Sequence, residues 1–190
     1  MNKFEQIKSI FYSGGTPFEG NYESINEITF LVDNGYLKMN DFPISYKNEY
    51  LNLFKEHSLL NKESRYDAAG GGDAHLALKI LGRKYLKNKR NLDAKYEQPF
   101  YGYFPDVISV DKSIIIECGV TANPEKMFTY FQHGNIKELI QIPYPMVEDD
   151  KEIMAYSFTP SKNIKDFLSF LQSEKNKDIK NILNRRRTTE

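Results

Sequence analysis

Hydrophobic residues recur along this chain with two periods, and the change from one to the other divides it. Over the first sixty residues the spacing is helical. Phe4, Ile7, Ile10 and Phe11 share a face before Ser13-Gly14-Gly15-Thr16-Pro17 breaks the run. A second helical run extends from Tyr22 to about Val32, carries Ile25, Ile28, Phe30 and Leu31, and stops at Asp33-Asn34-Gly35. A third spans about Tyr50 to Leu60, with Leu51, Leu53, Phe54 and Leu59 on one broad face. These runs predict a helical N-terminal region over residues 1–63, acting as a cap or interaction module on a core formed by residues 64–190. Two helices followed by Gly35-Tyr36-Leu37-Lys38 also fit a winged-helix-like module, but no basic recognition helix accompanies them, so a helical cap is the simpler expectation.

Asp67-Ala68-Ala69-Gly70-Gly71-Gly72-Asp73 interrupts the pattern. No Gly-Lys-Ser/Thr follows the glycines and no strand precedes them, which argues against a phosphate-cradling loop and for a hinge. Asp73 is then placed at or near the N-cap of a helix running from Ala74 to about Lys87. In that helix Leu76, Ile80 and Leu81 are expected to face inward, and Lys79, Arg83 and Lys87 outward. Beyond it the period shortens to that of strands. Lys95–Tyr103 reads as an aromatic-rich strand interrupted at Pro99. Asp106–Val110 and Ser113–Cys118 read as a hairpin about Asp111-Lys112. Pro124 opens a helix containing Lys126, Met127, Tyr130 and Phe131 and closing near His133-Gly134. Glu138–Ile142 is a further strand, Ile153–Phe158 another, and Ile164, Phe167, Leu168 and Leu171 mark a final amphipathic helix. The order predicts an α/β protein (an α+β mixed sheet) in which a central mixed sheet is flanked by helices.

At 190 residues, with 40% hydrophobic and 14% aromatic content, the chain is long enough for one sizeable domain, or a core of roughly 120 residues with an appendage. No run approaches the ~18 apolar residues of a membrane span, and the N-terminal Met1–Lys8 lacks the apolar stretch of a secretory signal. A soluble, cytoplasmic protein with no membrane partner is expected. A single cysteine excludes an internal disulfide framework and a cysteine-based zinc site. Twenty-six basic residues balance twenty-six acidic ones, so net charge predicts no nucleic-acid partner. The distribution is uneven, however. Lys79, Arg83, Lys84, Lys87, Lys89, Arg90 and Lys95 face one acid, Asp93, and Arg185-Arg186-Arg187 end the chain, while Glu148-Asp149-Asp150 concentrate acid elsewhere. The first stretch is either a phosphate-facing surface or a solvated helix face.

The candidate chemistry lies at two carboxylates. Pro105-Asp106 opens one predicted strand, and Glu117 ends the run Ile114-Ile115-Ile116-Glu117-Cys118-Gly119. An acid after three isoleucines is expensive to bury without a metal or a charged partner. Alternation turns Cys118 to the opposite face, where it is expected to be a small buried apolar residue rather than a nucleophile. Most of the thirteen tyrosines and thirteen phenylalanines must fill a core that has no tryptophan, though some could stack on bases.

Phe104-Pro105-Asp106-Val107-Ile108 and Ile115-Ile116-Glu117-Cys118-Gly119, within a helix–hairpin–helix–strand order over roughly Asp73–Tyr144, resemble the PD-(D/E)XK nuclease superfamily. That family includes many restriction endonucleases and Holliday junction resolvases. The resemblance implies a restriction-endonuclease-like core and an endonuclease that hydrolyses phosphodiester bonds in DNA. Asp106, Glu117 and the backbone carbonyl of Cys118 would hold Mg²⁺ or Mn²⁺. The family places a lysine two residues after the glutamate, where this chain has Gly119, and Lys126 is the expected substitute. Asp73, His75, Glu97 and Gln141 are additional candidates for the site. Lys79, Arg83, Lys84, Lys87, Lys89 and Arg90 are the expected phosphate contacts. Cleavage of duplex DNA would imply a homodimer, one metal centre for each strand. The departure at Gly119 leaves an alternative, a catalytically inactive nuclease-fold module that binds nucleic acid or protein.

Overall fold

The structure, a computed structural model, describes residues 1–60, 72–146 and 150–187, with side chains for 1–57, 72–146 and 150–177. Gly70, Gly71, Glu148 and Asp149, and the side chains of Leu59 and Arg185–Arg187, lie outside the described residues. The elements are α1 (Lys3–Tyr12), α2 (Glu19–Asp33), β1 (Leu37–Tyr46), α3 (Lys47–Leu60), α4 (Gly72–Arg90), β2 (Ala94–Tyr96), β3 (Val107–Ser109), β4 (Ile114–Cys118), α5 (Glu125–His133), β5 (Glu138–Ile142), β6 (Glu152–Pro160) and α6 (Ile164–Arg187).

Six strands form one mixed sheet in the order β1-β6-β5-β4-β3-β2. β2, β3 and β4 are an antiparallel meander, β4 and β5 run parallel through α5, and β6 and β1 return antiparallel. The two central strands are buried at every position, as expected of parallel strands covered on both faces. Ile115, Leu139 and Phe158 pack on one side against Ile7 and Phe11 of α1, Ile25 and Ile28 of α2, Tyr130 and Phe131 of α5, and Leu168 of α6. Ile114, Ile116, Cys118, Ile140 and Ile142 face the other side, against Tyr50 and Leu53 of α3 and Ala77, Leu78 and Leu81 of α4. Cys118 thus lies on the face opposite Glu117 and is buried, as its alternation predicts. Gly82 lets α4 lie close to the sheet, since a Cβ there would sit 3.2 Å from Ile116.

Three expectations need correction. Residues 1–63 are not wholly helical, because β1 pairs with β6 from Leu37↔Pro160 to Tyr46↔Glu152. Its polar Asn40-Asp41 and its Pro43 mask the strand in sequence, and pairing with β6 overrides that weak local preference. The strand expected over Lys95–Tyr103 ends at Tyr96, and the chain leaves the sheet at Glu97 with φ of 48°. Lys79 is buried (4% exposed) rather than outward, because Glu97 supplies a counter-charge 2.7 Å from its Nζ. The helix carrying it runs from Gly72 to Arg90, with Asp73 in its first turn, near the N-cap as expected.

Because α2 shares its cluster with β4 and β5, Ile28→Ala should destabilise the whole molecule by about 2–5 kcal/mol. Chemical denaturation followed by circular dichroism should show one transition shifted to lower denaturant. A second, unshifted transition would mean that the N-terminal region unfolds on its own.

Candidate active site

β4 and β5 end, and α4 and α5 begin, at the same edge of the sheet. A cavity of about 610 Å³ opens there, lined by His75, Glu97, Phe104, Asp106, Glu117, Cys118, Val120, Thr121, Lys126 and Tyr144. Its position outside the carboxyl ends of parallel strands is the usual place for ligands in α/β sheets. The two carboxylates meet there through strand register. β3 and β4 pair Val107 with Ile116, and one further step along the antiparallel ladder sets Asp106 opposite Glu117. The Cys118 N–H donates to Asp106 Oδ2 (2.7 Å), which fixes the first carboxylate across the hairpin. The other oxygen, Oδ1, lies 2.9 Å from His75 Nε2. With a carboxylate as acceptor the imidazole proton sits on Nε2, and Nδ1 faces the Tyr144 hydroxyl at 3.5 Å.

Glu117 is only 4% exposed. Lys126 and Tyr130, four residues apart on α5, project from one helix face and share its carboxylate. The Tyr130 hydroxyl donates to Oε1 (3.0 Å) and Lys126 Nζ donates to Oε2 (3.3 Å). Burial pushes the Glu117 carboxyl up to about 7, the charge of Asp106 adds to the rise, and Lys126 and Tyr130 oppose it. Burial, and next the neighbouring Glu117, raise the Tyr130 phenol far above its usual range. The arrangement is a buried acid whose charge is only partly compensated.

Gly119, two residues after Glu117, stands where the backbone and its surroundings exclude a side chain. Its φ is 68°, and a Cβ there would overlap the Tyr144 ring. No L side chain fits that backbone and that space together. An ammonium reaches Glu117 from α5 instead, through Lys126.

The remaining candidates separate clearly. Glu97 lines the cavity and pairs with Lys79, and its N–H donates to the Pro105 carbonyl (3.1 Å), tying β2 to the start of β3. Asp73 stands in the first turn of α4 with interactions of its own and is not among the lining residues. Gln141 is fully buried and does not reach the cavity; it accepts from Thr121 Oγ1 (2.9 Å) and donates to the Gly119 carbonyl (2.8 Å). It therefore holds the loop that follows β4. Burial pushes the Cys118 thiol well up, which leaves it unreactive. Among the described residues no group of three or more His, Cys, Asp and Glu side chains forms a ready cluster for a metal. Asp106 and Glu117 are the two carboxylates of the cavity that could hold a hard divalent cation, a kind of ion that takes oxygen ligands and retains waters.

The basic stretch is largely neutralised within the molecule. Lys79 pairs with Glu97, Lys84 with Glu49 (2.9 Å), Lys87 with Asp93 (2.7 Å) and Arg90 with both oxygens of Glu138 (2.8 and 2.6 Å). Arg83 lies 5.0 Å from the centre of the Tyr96 ring, and Lys89 is exposed. At 1.5 Å per residue Arg90 lies about 22 Å along α4 from His75, so the stretch runs away from the cavity. Tyr130 and Tyr144 are site residues that the sequence reading passed over. Tyr130 could have been found by its four-residue spacing from Lys126. Nothing near Tyr144 in sequence marks its place beside Gly119 and His75. Compared with protein-family models, curated proteins and solved structures, the chain finds no match.

The raised carboxyl of Glu117 favours the protonated form in the folded state. Its stabilising effect is complete below the unfolded value near 4.5 and is lost as pH rises through about 7. In chelator, the unfolding free energy should fall across that window by on the order of 3 kcal/mol, and Glu117→Gln should flatten the slope; urea melts at several pH values measure both. Separately, Gly119→Lys should lower stability by about 1–3 kcal/mol, read as a melting temperature below that of the unaltered protein.

Proposed function

We propose that the protein is a metal-dependent endonuclease that hydrolyses phosphodiester bonds in DNA, built on a PD-(D/E)XK-like core. The observation that carries the reading is the shared cavity of Asp106 and Glu117, with the Lys126 ammonium on the second acid. The order α4, β2–β3–β4 meander, α5, and β5 parallel to β4 supports it as well. The donor set fits a hard divalent cation: two carboxylates, one buried at a cost that a cation would relieve. Asp106 and Glu117 are the residues that would hold Mg²⁺ or Mn²⁺, with the Cys118 backbone beside them. Such an ion supplies Lewis-acid charge at the scissile phosphate and an acidified water.

The chain's own groups have distinct tasks in this reading. His75 and the Cys118 N–H orient Asp106, each through one oxygen. Tyr144 supports His75 from its other nitrogen. Lys126, partly exposed and at the cavity wall, offers its ammonium to a phosphate oxygen as well as to Glu117. Tyr130 holds the remaining Glu117 oxygen from the core side, so the carboxylate cannot swing out of the cavity.

Purified protein should nick or cut DNA with Mg²⁺ or Mn²⁺, followed on gels. Asp106→Ala and Glu117→Ala should abolish cleavage while remaining folded, and Lys126→Ala should slow it by about 100- to 1,000-fold. Mg²⁺ at 100 times its dissociation constant should stabilise the fold by about 2.7 kcal/mol, and this gain should vanish in Glu117→Ala. Salt-sensitive DNA binding with no cleavage under any cation would instead favour an inactive binding module.

A further inference from the structure

Between Glu97 and Asp106 the chain leaves the sheet and returns as a stiff aromatic projection beside the cavity. Phe100 and Tyr103 exchange backbone hydrogen bonds (2.8 and 3.1 Å) across the two-residue turn Tyr101-Gly102. Both turn residues have positive φ, 48° and 81°, the geometry of a tight type I′ turn. The base of the projection is clamped to α5. The Phe100 ring lies 5.8 Å from that of Tyr130, and Tyr103 meets Tyr130 edge-on at 5.9 Å. Tyr130 is also the residue that donates to Glu117, so the projection is fixed relative to the buried carboxylate.

Despite this anchoring, Phe104 and Tyr101 remain 62% and 52% exposed. Phe104 lines the cavity two residues before Asp106, and Val120, 41% exposed, lines it from the loop after β4. Isolated exposed apolar residues are ordinary. Here an exposed phenyl ring, one residue beyond the anchored Tyr103, lines a cavity that also holds the carboxylates of Glu97, Asp106 and Glu117 and the ammonium of Lys126. Immediately beside Glu97, Gln98 and Pro99 line a second groove together with Lys95 and Lys112. Those two lysines have no ion-pair partner among the described residues, unlike Lys84, Lys87 and Arg90.

Uncompensated lysines in a groove whose lining ends at Gln98 and Pro99, at the foot of the aromatic projection, are a combination that binds a nucleic-acid single strand: cations follow the backbone and rings stack on bases. A base inside a duplex has both faces covered by its neighbours and reaches a side chain only when unpaired or flipped. We infer that Phe104 is a stacking platform for an unpaired base, and that the substrate is DNA carrying an unpaired strand at the cavity. The position of the phosphate in this inference rests on the nuclease reading above; the stacking itself does not require cleavage.

The chain contains no tryptophan, so Phe104→Trp introduces a lone indole as reporter. Titration with an oligothymidylate, in EDTA and again in Mg²⁺, should quench its fluorescence saturably in at least one condition, whereas a blunt duplex should not. In parallel, Phe104→Ala and Phe104→Leu should each weaken binding of a fluorescein-labelled oligothymidylate by about 5- to 150-fold at fixed salt. Equal quenching by duplex, no quenching in either condition, or unchanged affinity in both variants overturns the inference. A protein that binds and quenches but never cuts retains the platform and loses the nuclease reading. One that cuts DNA while Phe104→Ala binds single strands as well as before does the reverse.

Discussion

Glu117 ends a run of three buried isoleucines, where an uncompensated charge costs several kcal/mol. Much of the architecture around the cavity answers that one cost. α5 presents an ammonium and a phenol at four-residue spacing to the two carboxylate oxygens. The β3–β4 register brings a second acid alongside, and this worsens the electrostatics rather than relieving them. The compensation of the buried acid by Lys126 and Tyr130 is therefore partial.

The same economy of charge governs the outer face of α4. Its cations are matched to Glu49, Asp93 and Glu138, acids from three different parts of the chain. Those pairs fasten α4 to α3, to the β2 approach and to β5. Exposed pairs of this kind contribute little individually. The Arg90–Glu138 pair, with its two hydrogen bonds and largely buried acid, is the firmest of them. The helix is thereby held at its far end while its first turns serve the cavity. Positive charge concentrated in sequence therefore does not amount to a positive surface in the folded molecule.

The parts of the fold that could be read from the chain are those encoded by local period. The β3–β4 hairpin, the α5 start after Pro124, and β5 ended by Pro143 all follow from nearby residues. β1 was hidden because its conformation comes from β6, more than a hundred residues away. The burial of Lys79 was hidden for a similar reason: helical spacing alone places it outside, and only the left-handed turn at Glu97 supplies its partner. At the site, Asp106, Glu117 and Lys126 were legible because their spacing in strands and helix fixes where they point. Tyr144 was not, since its role depends on Gly119 leaving space for a ring from beyond β5.

The two outer strands of the sheet have a bearing on assembly. β1 carries Pro43, which has no amide hydrogen to offer, and its ladder slips between Pro43 and Ser45. At the opposite border β2 is only three residues long. Neither margin is a good template for adding another strand. An assembly of two copies of this chain would have to use helices or loops rather than extend the sheet from one molecule into the next.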